Sequence, residues 1–108
     1  MAYSESLASR IRDVVGSRGV VEKKMFGGVG FLLHGNMLVG VWKDSLIVRL
    51  GVEAGERALD QPHVREFDIT GKAMKGWVLV EAEGLAEDRE LKAWVERAWR
   101  FVETLPAK

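Results

Sequence analysis

Residues 25–50 read MFGGVGFLLHGNMLVGVWKDSLIVRL, the most apolar stretch of the chain, and turn residues cut it into segments with a period of two. Phe31 and Leu33 alternate with Gly30 and Leu32. Met37, Val39 and Val41 alternate with Leu38, Gly40 and Trp42, and Leu46, Val48 and Leu50 repeat the period after Lys43-Asp44-Ser45. Alternation bounded by turn residues predicts three consecutive antiparallel strands. Gly35 at the first central position of a two-residue loop suits a type II′ turn, so His34-Gly35-Asn36-Met37 is the expected first hairpin. The remaining elements have to cover this meander.

Upstream, Ser4 or Ser6 can cap a first helix whose apolar stripe is Leu7, Ile11, Val14 and Val15, with Gly19 expected just past its end. Val20 to Lys24 begins as a short strand and runs into Met25-Phe26-Gly27-Gly28. Two adjacent glycines within a β pattern mark a turn, a bulge or a close backbone approach. Gly27, Gly28 and Gly30 lead into a strand and lack the spacing of a dinucleotide loop, so their reading is structural.

Downstream, Gly51 ends the meander. Glu53 to Leu59 reads as a short helix weakened by Gly55 and stopped at Asp60-Gln61-Pro62. Val64 to Ile69 reads as a strand with Phe67 and Ile69 on one face. The segment from Thr70 to Gly76 is a loop with two lysines, and Trp77 to Val80 a buried strand. A final helix starts near Glu87-Asp88, acids that suit its positive end. Leu91, Trp94, Val95, Ala98, Val102 and Leu105 form its apolar face, Lys92–Glu96 and Glu96–Arg100 are expected as outward pairs, and Pro106 ends it. Trp99 and Phe101 widen that face, which predicts a helix lying in a groove with two walls, or else one meeting another chain. The fold class is α+β: two layers, an antiparallel sheet of about six strands with N-terminal and C-terminal helices packed on it, in one domain spanning residues 1–108.

Composition narrows the function. Apolar residues make up 47% and charged residues 30% of the 108 residues, as in a globular protein. Formal net charge is zero, so the total offers no electrostatic attachment to nucleic acid or to an anionic membrane. Residues 1–49 carry seven Lys/Arg against four Asp/Glu, and residues 50–108 nine against twelve, a modest polarity along the chain. With no cysteine there is no disulfide, thiolate zinc site or cysteine nucleophile. The N-terminus lacks the pattern of a signal peptide, and no apolar run is long enough to span a bilayer, so a cytoplasmic, membrane-free protein is expected.

No catalytic constellation emerges. His34 falls at a hairpin tip and His63 follows Pro62, neither with metal-ligand spacing nearby, so no metal is expected. His63 beside Arg65 or Glu66 lacks an oriented partner for acid–base work. None of Ser4, Ser6, Ser9, Ser17 and Ser45 lies in a nucleophile motif. Glu81-Ala82-Glu83 reads as a solvated connection. Lys23, Lys24, Lys43, Arg49, Lys72 and Lys75 could share a side of the sheet with Phe26, Trp42 and Trp77 as base-stacking platforms, but the consensus of a sheet-borne RNA-binding motif is missing.

One resemblance stands out. Met25-Phe26-Gly27-Gly28-Val29-Gly30-Phe31, followed by Gly35-Asn36-Met37 and Leu46-Ile47-Val48-Arg49, resembles the N-terminal domain of the TfoX/Sxy regulators of natural competence, over essentially the whole chain. Met74-Lys75-Gly76-Trp77 and the tryptophan-containing last helix look like short, single-domain members of that group. The resemblance implies a regulator rather than an enzyme, without cofactor or catalytic residues, in a family associated with activating competence genes together with the cyclic-AMP receptor transcription factor. The expected activity is docking, to a protein partner such as a transcription factor or to a second copy as a homodimer. The expected contact surface joins Met25, Phe26, Gly27 and Gly28 to Lys72, Lys75 and Trp77, because a loop with lysines beside an aromatic offers polar and apolar contacts. The alternative is a small-ligand or nucleic-acid binding module using the glycine-rich turn and the basic side of the sheet.

Overall fold

Glu5–Val15 forms the first helix, α1, because Ser4 satisfies its start: the Ser4 hydroxyl accepts the Leu7 N–H at 3.1 Å. The computed structural model describes residues 3–25, 27–68 and 71–107. The helix stops earlier than expected. Gly16, at φ +56°, already leaves the helical region and donates its N–H to the Arg12 carbonyl at 2.9 Å. Gly19, at φ +83°, serves the turn into the first strand instead.

The strands are β1 (Val20–Met25), β2 (Gly28–Leu33), β3 (Asn36–Trp42), β4 (Ser45–Arg49), β5 (Val64–Glu66) and β6 (Trp77–Val80). They form one antiparallel sheet in the order β1-β2-β3-β4-β6-β5. The expected α+β meander is therefore present. β6 pairs directly with β4, which leaves β5 at the edge beyond it. The connection includes a short helix, α2 (Val52–Ala58), and after β6 a 3₁₀ turn, Ala82–Leu85, leads to α3 (Asp88–Val102).

Three details depart from the local pattern. The β2–β3 hairpin turns at His34-Gly35 rather than Gly35-Asn36: both residues have positive φ, +53° and +83°, as a type I′ turn requires. Asn36 instead opens β3 opposite Leu33, buried, with its side-chain amide donating to the Pro106 carbonyl at 2.9 Å. The β2–β3 register also shifts by one residue, so that Leu38 and Val39 both enter the core. A bulge of this kind breaks strict alternation. The strand expected over Val64 to Ile69 pairs only through Glu66, and Ile69 lies outside the described residues.

The helices cover one face. α3 lies across β3 and β4 beside α1, and α2 sits against β6. Ile11, Phe31, Leu38, Val39, Val41, Leu46, Val48, Val78, Leu91 and Val95 are sealed beneath them. Trp99 and Phe101, which widen the apolar face of α3, pack against the main core and are half-buried. Trp99 takes the Arg18 guanidinium at 4.2 Å, and Phe101 lies so close to Gly51 that a Cβ there would come within 2.7 Å of the ring. Glu87 and Glu90 form a capping box at the start of α3. Glu96 turns toward Arg18, 3.8 Å away, to make an ion pair outside its own helix.

Candidate functional site

In a strand, alternate residues point to opposite faces. With Val29, Phe31, Val39, Val41, Leu46, Val48, Val78 and Val80 turned to the helices, the other set makes the outer face. Register aligns Val21 with Leu32 and Met37, and Arg49 with Trp77. A second row runs Lys23, Gly30, Gly40, Ile47, Leu79, Arg65 across all six strands. A third brings together Met25 with Gly28, and Trp42 with Ser45. Lys24 faces the other way, opposite Val29, so the six cations grouped from the sequence do not all share a side.

Among the described residues no helix lies on this outer face, yet part of it is dry. Ile47, Phe67 and Leu79 are buried in a second, smaller core with Met37, Trp42 and Trp77 packed around them. Phe67, just past β5, folds inward and meets Trp77 with ring centroids 5.8 Å apart. The Met74 N–H donates to the Phe67 carbonyl at 3.1 Å, which draws the following loop along the sheet. Beside this cluster the cross-strand pair Gly30–Gly40 leaves a depression without side chains. The methyl groups of Met25 and Met37 lie in it: a Cβ on Gly30 would be 3.0 Å from the first, and one on Gly40 2.5 Å from the second. Met25, Leu32, Met37, Trp42 and Trp77 are all half-buried, and Met74 and Val21 are exposed.

Cations border the band. The Lys43 ammonium sits 4.7 Å above Trp42, and the Arg49 guanidinium lies 5.0 Å from Trp77 and 6.0 Å from Phe101. Such contacts hold a positive charge against an aromatic face. Among the described residues no ion pair engages Lys43, Arg49 or Lys75. A cavity of about 190 Å³ opens between Arg49, Gly51, Lys75, Trp77 and Phe101, and a second of about 110 Å³ shares Lys75, Gly76 and Trp77 as its wall.

The residues expected to make contacts fall as follows. Met25 ends β1 and reaches over Gly30, Gly27 is an exposed turn residue at φ +78°, and Gly28 is a buried ladder residue opposite Met25. Phe26 lies outside the described residues. Lys72 and Lys75 are exposed in the loop before β6, and Trp77 begins that strand. Met25 and Trp77 thus share the outer face with β2, β3 and β4 between their strands. The residues that connect them, Met37, Gly40 and Ile47, have nothing in their spacing that marks a surface; register alone turns them outward.

A second grouping was invisible to spacing. The ligand atoms of His63, Glu81 and Glu83 lie within 4.8 Å of one another, though the carboxylates follow the histidine by eighteen and twenty positions. Antiparallel pairing brings them together: the Glu81 N–H donates to the His63 carbonyl at 2.8 Å. A larger cavity, of about 360 Å³ between α1 and α3, is lined by Arg10, Asp13, Val14, Asp88, Arg89 and Lys92, with Arg10 reaching Asp88 at 3.2 Å and the Leu85 carbonyl at 2.6 Å. The resolved protonation shifts are on the helix side. Hydrogen bonding to Arg12 lowers the Glu5 carboxyl, the carboxylates of Glu22 and Glu5 raise Arg12, and burial with Arg100 nearby lowers Arg97, whose guanidinium lies 4.4 Å from Trp94.

A family model, the TfoX N-terminal domain, matches residues 14–102, from the last turn of α1 through α3. No curated protein and no solved structure matches the chain.

Proposed function

The chain belongs to the TfoX N-terminal domain family, and from that premise we propose that it is a non-enzymatic docking domain that binds a protein partner through the outer face of its sheet. The TfoX N-terminal domain is not a known enzyme family. No helix among the described residues is long and apolar enough to cross a membrane. The observation that carries the reading is the half-buried band of Met25, Leu32, Met37, Trp42 and Trp77 on a sheet face that the helices leave open, with Lys43 and Arg49 held over the tryptophan rings. Aromatic and methionine side chains with arginine at the margin are what protein interfaces enrich. The partner's place in transcription is the expectation that the family resemblance brings, and it supplies the regulatory part of the proposal.

The test compares the tagged wild-type chain with the double variant Lys75→Glu/Trp77→Ala in capture from native lysate, with nuclease present. Proteins retained by wild type and lost by the variant, at unchanged circular dichroism, support the docking face. A variant that retains the same proteins refutes it. The second reading, binding of a polyanion by the cations on the aromatic rings, is favoured by Lys43 and Arg49 having no carboxylate partner among the described residues. It requires nucleic acid recovered without nuclease and affinity that falls as salt rises, since phosphate contacts release counterions.

A further inference from the structure

We propose that His63, Glu81 and Glu83 form a binding site for one divalent transition-metal ion of the Zn²⁺ kind. Two segments supply the donors: His63 precedes β5, and Glu81 and Glu83 lie in the stretch that runs from the end of β6 into the 3₁₀ turn. All three ligand atoms already lie within 4.8 Å of one another. A tetrahedral ion with ligands at about 2.1 Å holds its donors about 3.4 Å apart, so side-chain rotation at this surface is enough to close the set.

The donor chemistry selects the ion. One imidazole nitrogen with two carboxylates suits zinc and its first-row neighbours, whereas magnesium and calcium take oxygen alone. The two carboxylates bring two negative charges to one spot. Arg65 Nε is 4.0 Å from one Glu81 oxygen, a pair with both side chains about half exposed, and the other Glu81 oxygen is left to a ligand.

The backbone is shaped around the histidine. His63 is one of three non-glycine residues at positive φ, at +66°, among those described. Gly84 lets the 3₁₀ turn close on it: a Cβ there would stand 3.1 Å from both the His63 Cβ and Val80 Cγ1. An ion bound here ties β5, an edge strand of three residues, to the 3₁₀ turn, and so raises the melting temperature by binding the folded state.

The experiment is calorimetric titration of the whole chain with Zn²⁺, repeated with Co²⁺ and read by its visible absorption. Wild type should bind one ion. His63→Asn, chosen because asparagine tolerates positive φ, and Glu83→Gln should each weaken binding by at least about tenfold, the lower bound for losing even an outer-shell partner. His34→Asn, at the far hairpin and also at positive φ, should bind as wild type does, and in NMR spectra the His63 ring signals should move with added Zn²⁺ while those of His34 stay. All three variants change surface residues, and circular dichroism checks their folds. Absence of binding by wild type, binding unchanged in both site variants, or binding lost in His34→Asn overturns the proposal.

Discussion

Gly76 and Gly71 share a backbone φ of +88° and differ in what surrounds them, so alanine at the two positions separates backbone strain from packing. A left-handed residue bearing a Cβ costs about 1–2 kcal/mol. At Gly71 a Cβ would have nothing within 4 Å, and Gly71→Ala should show that cost alone, at its lower end because the position is exposed. At Gly76 the same Cβ would stand 3.1 Å from the Gly51 carbonyl carbon and 3.2 Å from the Val52 nitrogen, backbone atoms at the start of α2. Residue 76 cannot rotate away freely, because its carbonyl accepts from the N–H groups of Leu50 at 2.9 Å and Gly51 at 3.2 Å. Gly55 closes the other side, where a Cβ would be 3.0 Å from the Gly76 Cα. Overpacking against such a wall adds about 1–3 kcal/mol. Gly76→Ala should therefore lose about 2–5 kcal/mol, a large share of the 5–15 kcal/mol typical of a domain. At about 4–8 °C per kcal/mol for a chain of this size, that is a fall of at least about 8 °C, against about 5 °C for Gly71→Ala. Urea and thermal unfolding, followed by tryptophan fluorescence and circular dichroism, measure both. If Gly76→Ala proves no less stable than Gly71→Ala, the tight junction of residue 76 with the start of α2 is wrong.

Two further outcomes follow from other contacts. Arg12 bonds Glu5 at 2.8 Å and Glu22 at 2.7 and 2.9 Å, and it holds the Glu5 carboxyl below its ordinary value of 4.5. A lowered carboxyl stabilises the fold above its unfolded pKa and loses that contribution as pH falls through the folded value. The melting temperature of wild type should therefore exceed that of Arg12→Gln at pH 7 and converge on it in acid below 4.5, and a gap that widens in acid would refute the assignment. Asn36→Ala removes one buried hydrogen bond to Pro106 and should cost about 1 kcal/mol. Asn36→Asp should cost more, because a carboxylate only accepts and would face the carbonyl. Hydrogen exchange at the Leu105 amide, which bonds the Val102 carbonyl at 3.0 Å, should quicken in both, and equal stability of the two variants would argue against the contact.

The candidate surface was half legible. Glycine-rich spacing at 25–30 and lysines beside Trp77 drew attention to both edges of the outer face. The middle of that face was not legible, because Met37, Gly40 and Ile47 look like any strand residues until register shows which way they point. The alternation of Phe67 with its neighbours predicts a strand residue; in the structure it lies beyond the last paired residue and packs with Ile47 and Leu79. The grouping of His63 with Glu81 and Glu83 carried no spacing signal at all, since it depends on β5 and β6 pairing side by side.

The sequence by itself determined the element types: the period of two from Phe31 to Leu50, the helical stripe from Leu91 to Val102 and the serine cap of α1. These depend on neighbours within one turn or one strand, where side-chain periodicity and backbone preference act directly. The helices expected to run to Pro62 and Pro106 end sooner, at Ala58 and Val102, and Leu105 lies past α3. Tertiary structure decided the rest. The type I′ turn at His34-Gly35 goes with the burial of Asn36 against Pro106, and the bulge carries Leu38 into the core beneath α3. β6 lies between β4 and β5, an order that no local pattern specifies. Which face stays open, and which distant side chains meet on it, follow from strand order and register, properties of pairs of segments rather than of any one of them.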